Sequence, residues 1–100
     1  SGGFNVYPKE VESVIDELDG VLECAVIGVP HADFGEAVVA VVVPEDEEIP
    51  LNFLKTALAE RLAKFKQPKA VVNVSELPRN TMGKVQKNLL RDRYSKILTD

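Results

Sequence analysis

One hundred residues are enough for one globular domain and too few for an enzyme with its own enclosed substrate cavity and lid. A hydrophobic content of 45% fills a modest core and 28% charged residues make an ordinary surface, which excludes a disordered chain. The net charge of −4 excludes a general nucleic-acid binder, yet Lys9 and Lys55 are the only basic residues before position 61, and all the others fall within 61–96. That basic rear reads equally as a solvated face or as a surface for something anionic.

In chain order, Tyr7 and Pro8 precede Val11, Val14, Ile15 and Leu18, whose i, i+3, i+4, i+7 spacing predicts a helix. Pro8 suits its first turn, Glu10 and Glu12 its positive end, and Gly20 its termination. Residues 21–29 are rich in β-branched side chains and closed by Pro30, while 37–43 are almost continuously apolar. Both read as strands, the second as a central one covered on both faces. The short connection 31–36 is of the kind that joins antiparallel neighbours. The acidic run 45–48 is expected as an exposed turn, after which Leu51, Leu54, Leu58, Leu62 and Phe65 mark one face of a second helix stopped by Pro68. Residues 70–74 read as a third strand, 75–84 as a polar loop, and 86–98 as a last helix with Leu89, Leu90, Tyr94, Ile97 and Leu98 inward. The order α-β-β-α-β-α, a small three-stranded sheet with helices packed on it, is an α+β domain.

Cys24 is the single cysteine, which excludes an internal disulfide and a cysteine-rich metal site. Set among Leu22, Ala25, Val26 and Ile27, it is expected to be a small buried side chain in a reducing, cytoplasmic compartment. His31 stands without a second His or a Cys nearby and reads as a loop histidine, and no metal site is expected. Asp33 and Glu36 read either as turn flanks or as a paired acidic site, and Lys64, Lys66 and Lys69 either as complements of a helix C-terminus or as phosphate ligands.

The loop Leu77-Pro78-Arg79-Asn80-Thr81-Met82-Gly83-Lys84 gathers a rigid residue, a flexible residue and two cations. Its Gly83-Lys84 ending is shared with the phosphate loop of nucleotide hydrolases, but Pro78 replaces that motif's first glycine and Val85 its magnesium-binding hydroxyl, which excludes that family. On the residues alone, Lys84 reads as a solvated lysine more readily than as a point charge for phosphate or carboxylate. The opening Ser1-Gly2-Gly3-Phe4-Asn5-Val6-Tyr7-Pro8 reads either as a loop whose glycines let backbone approach a ligand or as a cloning remnant.

Taken together, the two loops resemble conserved segments of the adenylate-forming superfamily of acyl-CoA synthetases, peptide-synthetase adenylation domains and beetle luciferases. The opening resembles the loop and helix after that family's interdomain hinge, and Pro78 through Lys84 resembles its terminal Pro-x-x-x-x-Gly-Lys motif. The segments Val29-Pro30-His31-Ala32-Asp33-Phe34-Gly35-Glu36 and Arg61-Leu62-Ala63-Lys64-Phe65-Lys66 are similar to bacterial malonyl-CoA synthetases in particular. The resemblance implies that residues 1–100 form one C-terminal lid domain, with the N-terminal adenylation domain of the same chain as its partner and that domain and the hinge residue lying before Ser1. It implies ATP and coenzyme A as substrates, Mg2+ in the full enzyme, and an inactive fragment on its own. Lys84 matches the adenylation lysine, supported by Pro78 and Gly83, and Gly2, Gly3, Phe4 and Asn5 match the loop lining the pantetheine tunnel. It also implies a lysine acetyltransferase acting on Lys84. The alternatives are the lid of another acyl- or aryl-CoA ligase, that of a carrier-protein adenylation domain, and a stand-alone α+β module that binds an anionic partner through its basic rear; neither nucleic acid nor membrane is an expected partner.

Overall fold

Residues 7–33 and 35–99 are described by the structure, a computed structural model. Helix α1 is Pro8–Ile15, with Pro8 in its first turn and Glu10 near its positive end. It ends earlier than the apolar spacing predicts: residues 16–20 continue as turns, and Gly20, at φ +94°, supplies a left-handed step into the sheet.

Strand β1 (Val21–His31) pairs antiparallel with β2 (Gly35–Pro44), and β2 pairs parallel with β3 (Ala70–Asn73), giving the order β1-β2-β3. The nearly uninterrupted apolar run of β2 is explained by its central place. Val38, Ala40 and Val42 pack with Val11, Ile15, Leu54 and Leu58 on one face, whereas Val39, Val41 and Val43 pack with Leu77 and Leu90 on the other. One helical layer, α1 and α2 (Leu51–Leu58), therefore covers the first face, and α3 (Lys87–Arg93) covers the second. A bulge interrupts β1, where Val21 pairs with Pro44 and Glu23 with Val43, so Leu22 is the extra residue and stands 66% exposed.

The other two helices are also shorter than their apolar spacing predicts. After Leu58 the chain makes one more turn, keeping Leu62 buried, and then Ala63 becomes extended at ψ 148°. The side chain of Gln67 donates to the carbonyls of Leu58 and Leu62, both at 3.5 Å, and so closes the open helix end. Phe65 consequently leaves the core, stands 45% exposed in a short 3-10 turn, and meets Tyr7 edge-on at 6.5 Å. Likewise α3 stops at Arg93 and 94–98 form turns, so Leu90, Tyr94 and Leu98 face inward while Leu89 and Ile97 are half exposed.

Candidate functional site

Pro78 to Gln86 form a tight hairpin against the sheet. The N–H of Gly83 donates to the carbonyl of Asn80 (2.9 Å), that of Asn80 to the carbonyl of Lys84 (2.9 Å), and that of Gln86 to the carbonyl of Pro78 (2.9 Å). Arg79 and Val85 form the antiparallel bridge at its base. Gly83 has φ +84° while Thr81 and Met82 have negative φ, which is a type I turn followed by a left-handed bulge residue. Asparagine leads this turn because its side chain accepts from inside it: Asn80 Oδ1 receives the N–H groups of Met82 (2.9 Å) and Lys84 (3.0 Å).

Lys84 leaves this hairpin exposed, and its ammonium has no ion-pair partner among the described residues. Four of its basic companions in the sequence are engaged elsewhere. Arg61 pairs with Glu17 (2.5 Å), Lys66 with Glu10 (2.9 Å), Lys87 with Glu12 (2.5 Å) and Arg79 with Glu23. Each pair joins the basic rear of the chain to its acidic front, so much of the charge asymmetry is internal complementarity.

Beside Lys84 an open groove of about 670 Å³ runs between α1 and α3, lined by Lys9, Glu12, Asn80, Lys87 and Arg91 among others. Its floor is the free edge of β1. There Glu12 Oε2 accepts the N–H of Val26 at 2.7 Å as well as the Lys87 ammonium, which satisfies an edge donor and laces the two helical layers together. Next to it Cys24, half-buried, directs its thiol to Asp16 Oδ1 (3.3 Å) and the Glu12 carbonyl (3.8 Å). Burial pushes this thiol well above its ordinary value of 9.0, and the hydrogen bond and charge of Asp16 and the charge of Glu12 push the same way against Lys87. That shift favours the neutral thiol, the form that donates to Asp16.

Pro78 opens the hairpin and Gly83 lies in its turn; Gly2, Gly3, Phe4 and Asn5 lie outside the described residues. His31 is the last residue of β1, paired with Gly35, rather than a loop histidine, and its Nδ1 accepts the Asp33 N–H (3.0 Å). Among the described residues no group of three or more His, Cys, Asp or Glu side chains is placed to hold a metal, and no helix is long and apolar enough to cross a membrane. Lys66 sits 4.6 Å above the Tyr7 ring in addition to its Glu10 pair, a structural role. The bracing by Arg79 and Glu23 and the Glu12–Lys87 lacing escaped the sequence reading. The Asn-x-x-Gly turn signal was present in it, whereas the ion pairs join residues 56 and 75 positions apart and leave no local mark.

Residues 10–84 match the model of the AMP-binding enzyme C-terminal domain. The chain belongs to that family. Its fold superposes on the crystal structure of apo MatB from Rhodopseudomonas palustris with a TM-score of 0.92 at 61% identity, covering 98% of this chain and 20% of that one. A long-chain-fatty-acid–CoA ligase of Mycobacterium tuberculosis is 45% identical over 95 residues, 95% of this chain and 19% of the ligase. A 2-succinylbenzoate–CoA ligase of Listeria monocytogenes is 43% identical over 95 residues, 95% of this chain and 20% of the ligase. This AMP-binding enzyme C-terminal domain therefore spans about a fifth of the length of the relatives it matches.

Proposed function

We infer that the chain is the mobile lid of an AMP-forming acid–CoA ligase and that Lys84 is its contribution to carboxylate adenylation. The observation that carries the reading is an exposed lysine with no ion-pair partner among the described residues, held at its backbone by a fixed turn, in a chain of the AMP-binding enzyme family. In the first half-reaction a carboxylate oxygen attacks the α-phosphorus of ATP, a P–O bond forms, and pyrophosphate leaves. Charge builds on the carboxylate and α-phosphate oxygens, and an ammonium between them draws both together and stabilises it. In the second, the thiol of coenzyme A attacks the acyl carbon, gives up its proton and expels AMP.

The N-terminal adenylation domain of the same chain is the lid's partner, and it holds the ATP–Mg2+ complex and the acid; no metal is assigned to the lid. For thioester formation the lid rotates, Lys84 withdraws, and the loop of Gly2, Gly3, Phe4 and Asn5 lines the pantetheine tunnel. Acetylation of Lys84 by a lysine acetyltransferase removes the charge and silences the first step, and its exposure makes the amine accessible. Malonate is the acid favoured by the resemblance of residues 29–36 and 61–66 to malonyl-CoA synthetases, in a cytoplasmic enzyme. The basic rear supports a free-standing anion-binding module less well, because four of its cations are already paired with Glu10, Glu12, Glu17 and Glu23.

The test separates the half-reactions in the full-length enzyme. Lys84→Ala should lower acyl-adenylate formation by roughly two to three orders of magnitude and still turn supplied acyl adenylate into thioester. Gly3→Leu should do the reverse, adenylating normally and failing at the thioester because a side chain fills the tunnel. An unchanged rate of pyrophosphate release in Lys84→Ala would refute the assignment.

A further inference from the structure

We propose that Arg79, tied to Glu23, is a positioning residue for adenylation that sets the backbone from which Lys84 reaches the reacting atoms; this rests on the reading of Lys84 given above. The peptide joining Gly83 to Lys84 is held at both ends. Its carbonyl accepts from Arg79 Nη1 at 2.7 Å, and its N–H donates to Asn80 Oδ1 at 3.0 Å. On the far side of Lys84, its own carbonyl accepts the Asn80 N–H at 2.9 Å. The turn therefore fixes Lys84 within the hairpin, but it does not by itself fix the hairpin relative to the domain. Beside the packing of Leu77 and Val85 on the core, Arg79 does that for the turn's Gly83 carbonyl, because its other terminal nitrogen, Nη2, is engaged by Glu23 Oε1 on β1, immediately after the bulge.

The guanidinium suits this task for a geometric reason. It is planar and carries donors in a fixed fork, so one rigid group spans the Gly83 carbonyl and the Glu23 carboxylate together. A lysine ammonium at the same place keeps the charge and is a single point, unable to hold both acceptors in that relation. The bulge at Leu22 contributes by changing the register after Val21. Glu23 thereby shares the side of β1 on which Leu77 and α3 pack, the side from which the hairpin rises.

Burial separates this role from a structural one. The Arg79 and Glu23 side chains are 43% and 33% exposed, and ion pairs so placed contribute little to stability. Their aim is another matter. A lysine stem has four rotatable bonds, so the placement of its ammonium begins with the backbone that carries it, and a misplacement on the order of 1 Å in a catalytic group can cost about 100-fold in rate. The brace is therefore worth more to the transition state than to the fold.

The full-length enzyme carrying Arg79→Lys or Glu23→Gln tests this, with Lys84→Ala alongside. The expected result is a fall of about tenfold or more in kcat for acyl-adenylate formation, with KM for ATP and acid within about twofold of the parent and thioester formation from supplied acyl adenylate unchanged. The double variant should be no slower than the slower single one, since either substitution already releases the brace. If Lys84→Ala collapses adenylation while both brace variants keep the parental rate, the positioning role is wrong and the reading of Lys84 stands. If Lys84→Ala itself adenylates normally, the reading of the site fails first. Equal loss of both half-reactions, accompanied by a lowered Tm, makes the pair a structural contact and overturns the proposal.

Discussion

Cys24 shows how a single residue reports its surroundings. The sequence placed it in an apolar run, and the structure adds what the run cannot show: Asp16 Oδ1 3.3 Å from the sulfur and the Glu12 carbonyl behind it. Burial comes first and the two carboxylates next in holding the proton on, so the folded value lies above the ordinary 9.0. The sign follows from linkage. The folded chain keeps a proton that the unfolded chain releases, so this contribution to stability is complete below the ordinary value and is lost as pH rises from there toward the folded one. Thermal unfolding from pH 7 to pH 10.5 should therefore show the wild type losing more Tm above about pH 9 than Cys24→Ala, whose alkaline loss lacks this titration. Parallel curves for the two proteins would contradict the assignment. Near pH 7.5 the native thiol should also resist iodoacetamide, because the reactive thiolate is scarce.

At the scale of elements, what the sequence disclosed and what it concealed divide along the range of the interaction. The apolar run of β2 revealed its central position because the signal is local and both faces need covering. The ends of α2 and α3 were overrun because an apolar period continues through turns as long as the side chains still reach the core, as Leu62 and Leu98 do. Asn73 bonds the backbone of Ile49 twice, at 2.8 and 3.0 Å, across 24 positions, and no local pattern marks that. In the site, Pro78, Gly83 and Lys84 stood out by motif, whereas the brace from Glu23 needed the fold. Glu12 is the sharpest case, since in sequence it is one acid on the first helix. In space it closes the β1 edge through Val26 and ties α1 to α3 through Lys87. Glu12→Ala strips a partner from an edge N–H and from a lysine whose side chain is only 24% exposed. A loss of about 1–3 kcal/mol in urea unfolding is expected. Hydrogen exchange should quicken at the Val26 amide first; an unchanged midpoint would mean that water replaces the carboxylate at no cost.

On the scale of the whole molecule, the packing of the chain and its proposed chemistry lead to different expectations for the chain on its own. Two apolar clusters sandwich the sheet, and among the described residues no buried side-chain nitrogen or oxygen lacks a hydrogen bond, so the chain has what it needs to fold as a unit. Yet Lys84 stands on the outside of that unit beside an open groove, where water screens its charge. A cation in that setting has neither a substrate held at bonding distance nor a low-dielectric pocket, the conditions under which electrostatic catalysis is large. Residues 1–100 alone should accordingly melt in one cooperative transition, release no pyrophosphate from ATP with any carboxylic acid, and form no thioester from acyl adenylate and coenzyme A. Neither ATP nor coenzyme A at millimolar concentration should move the Tm, because a ligand raises it only by binding the folded form. Pyrophosphate release by the isolated chain would mean that the adenylation site is contained in these residues. A Tm rise with an unrelated polyanion, absent with ATP and coenzyme A, would instead favour a free-standing module whose basic residues act on their own.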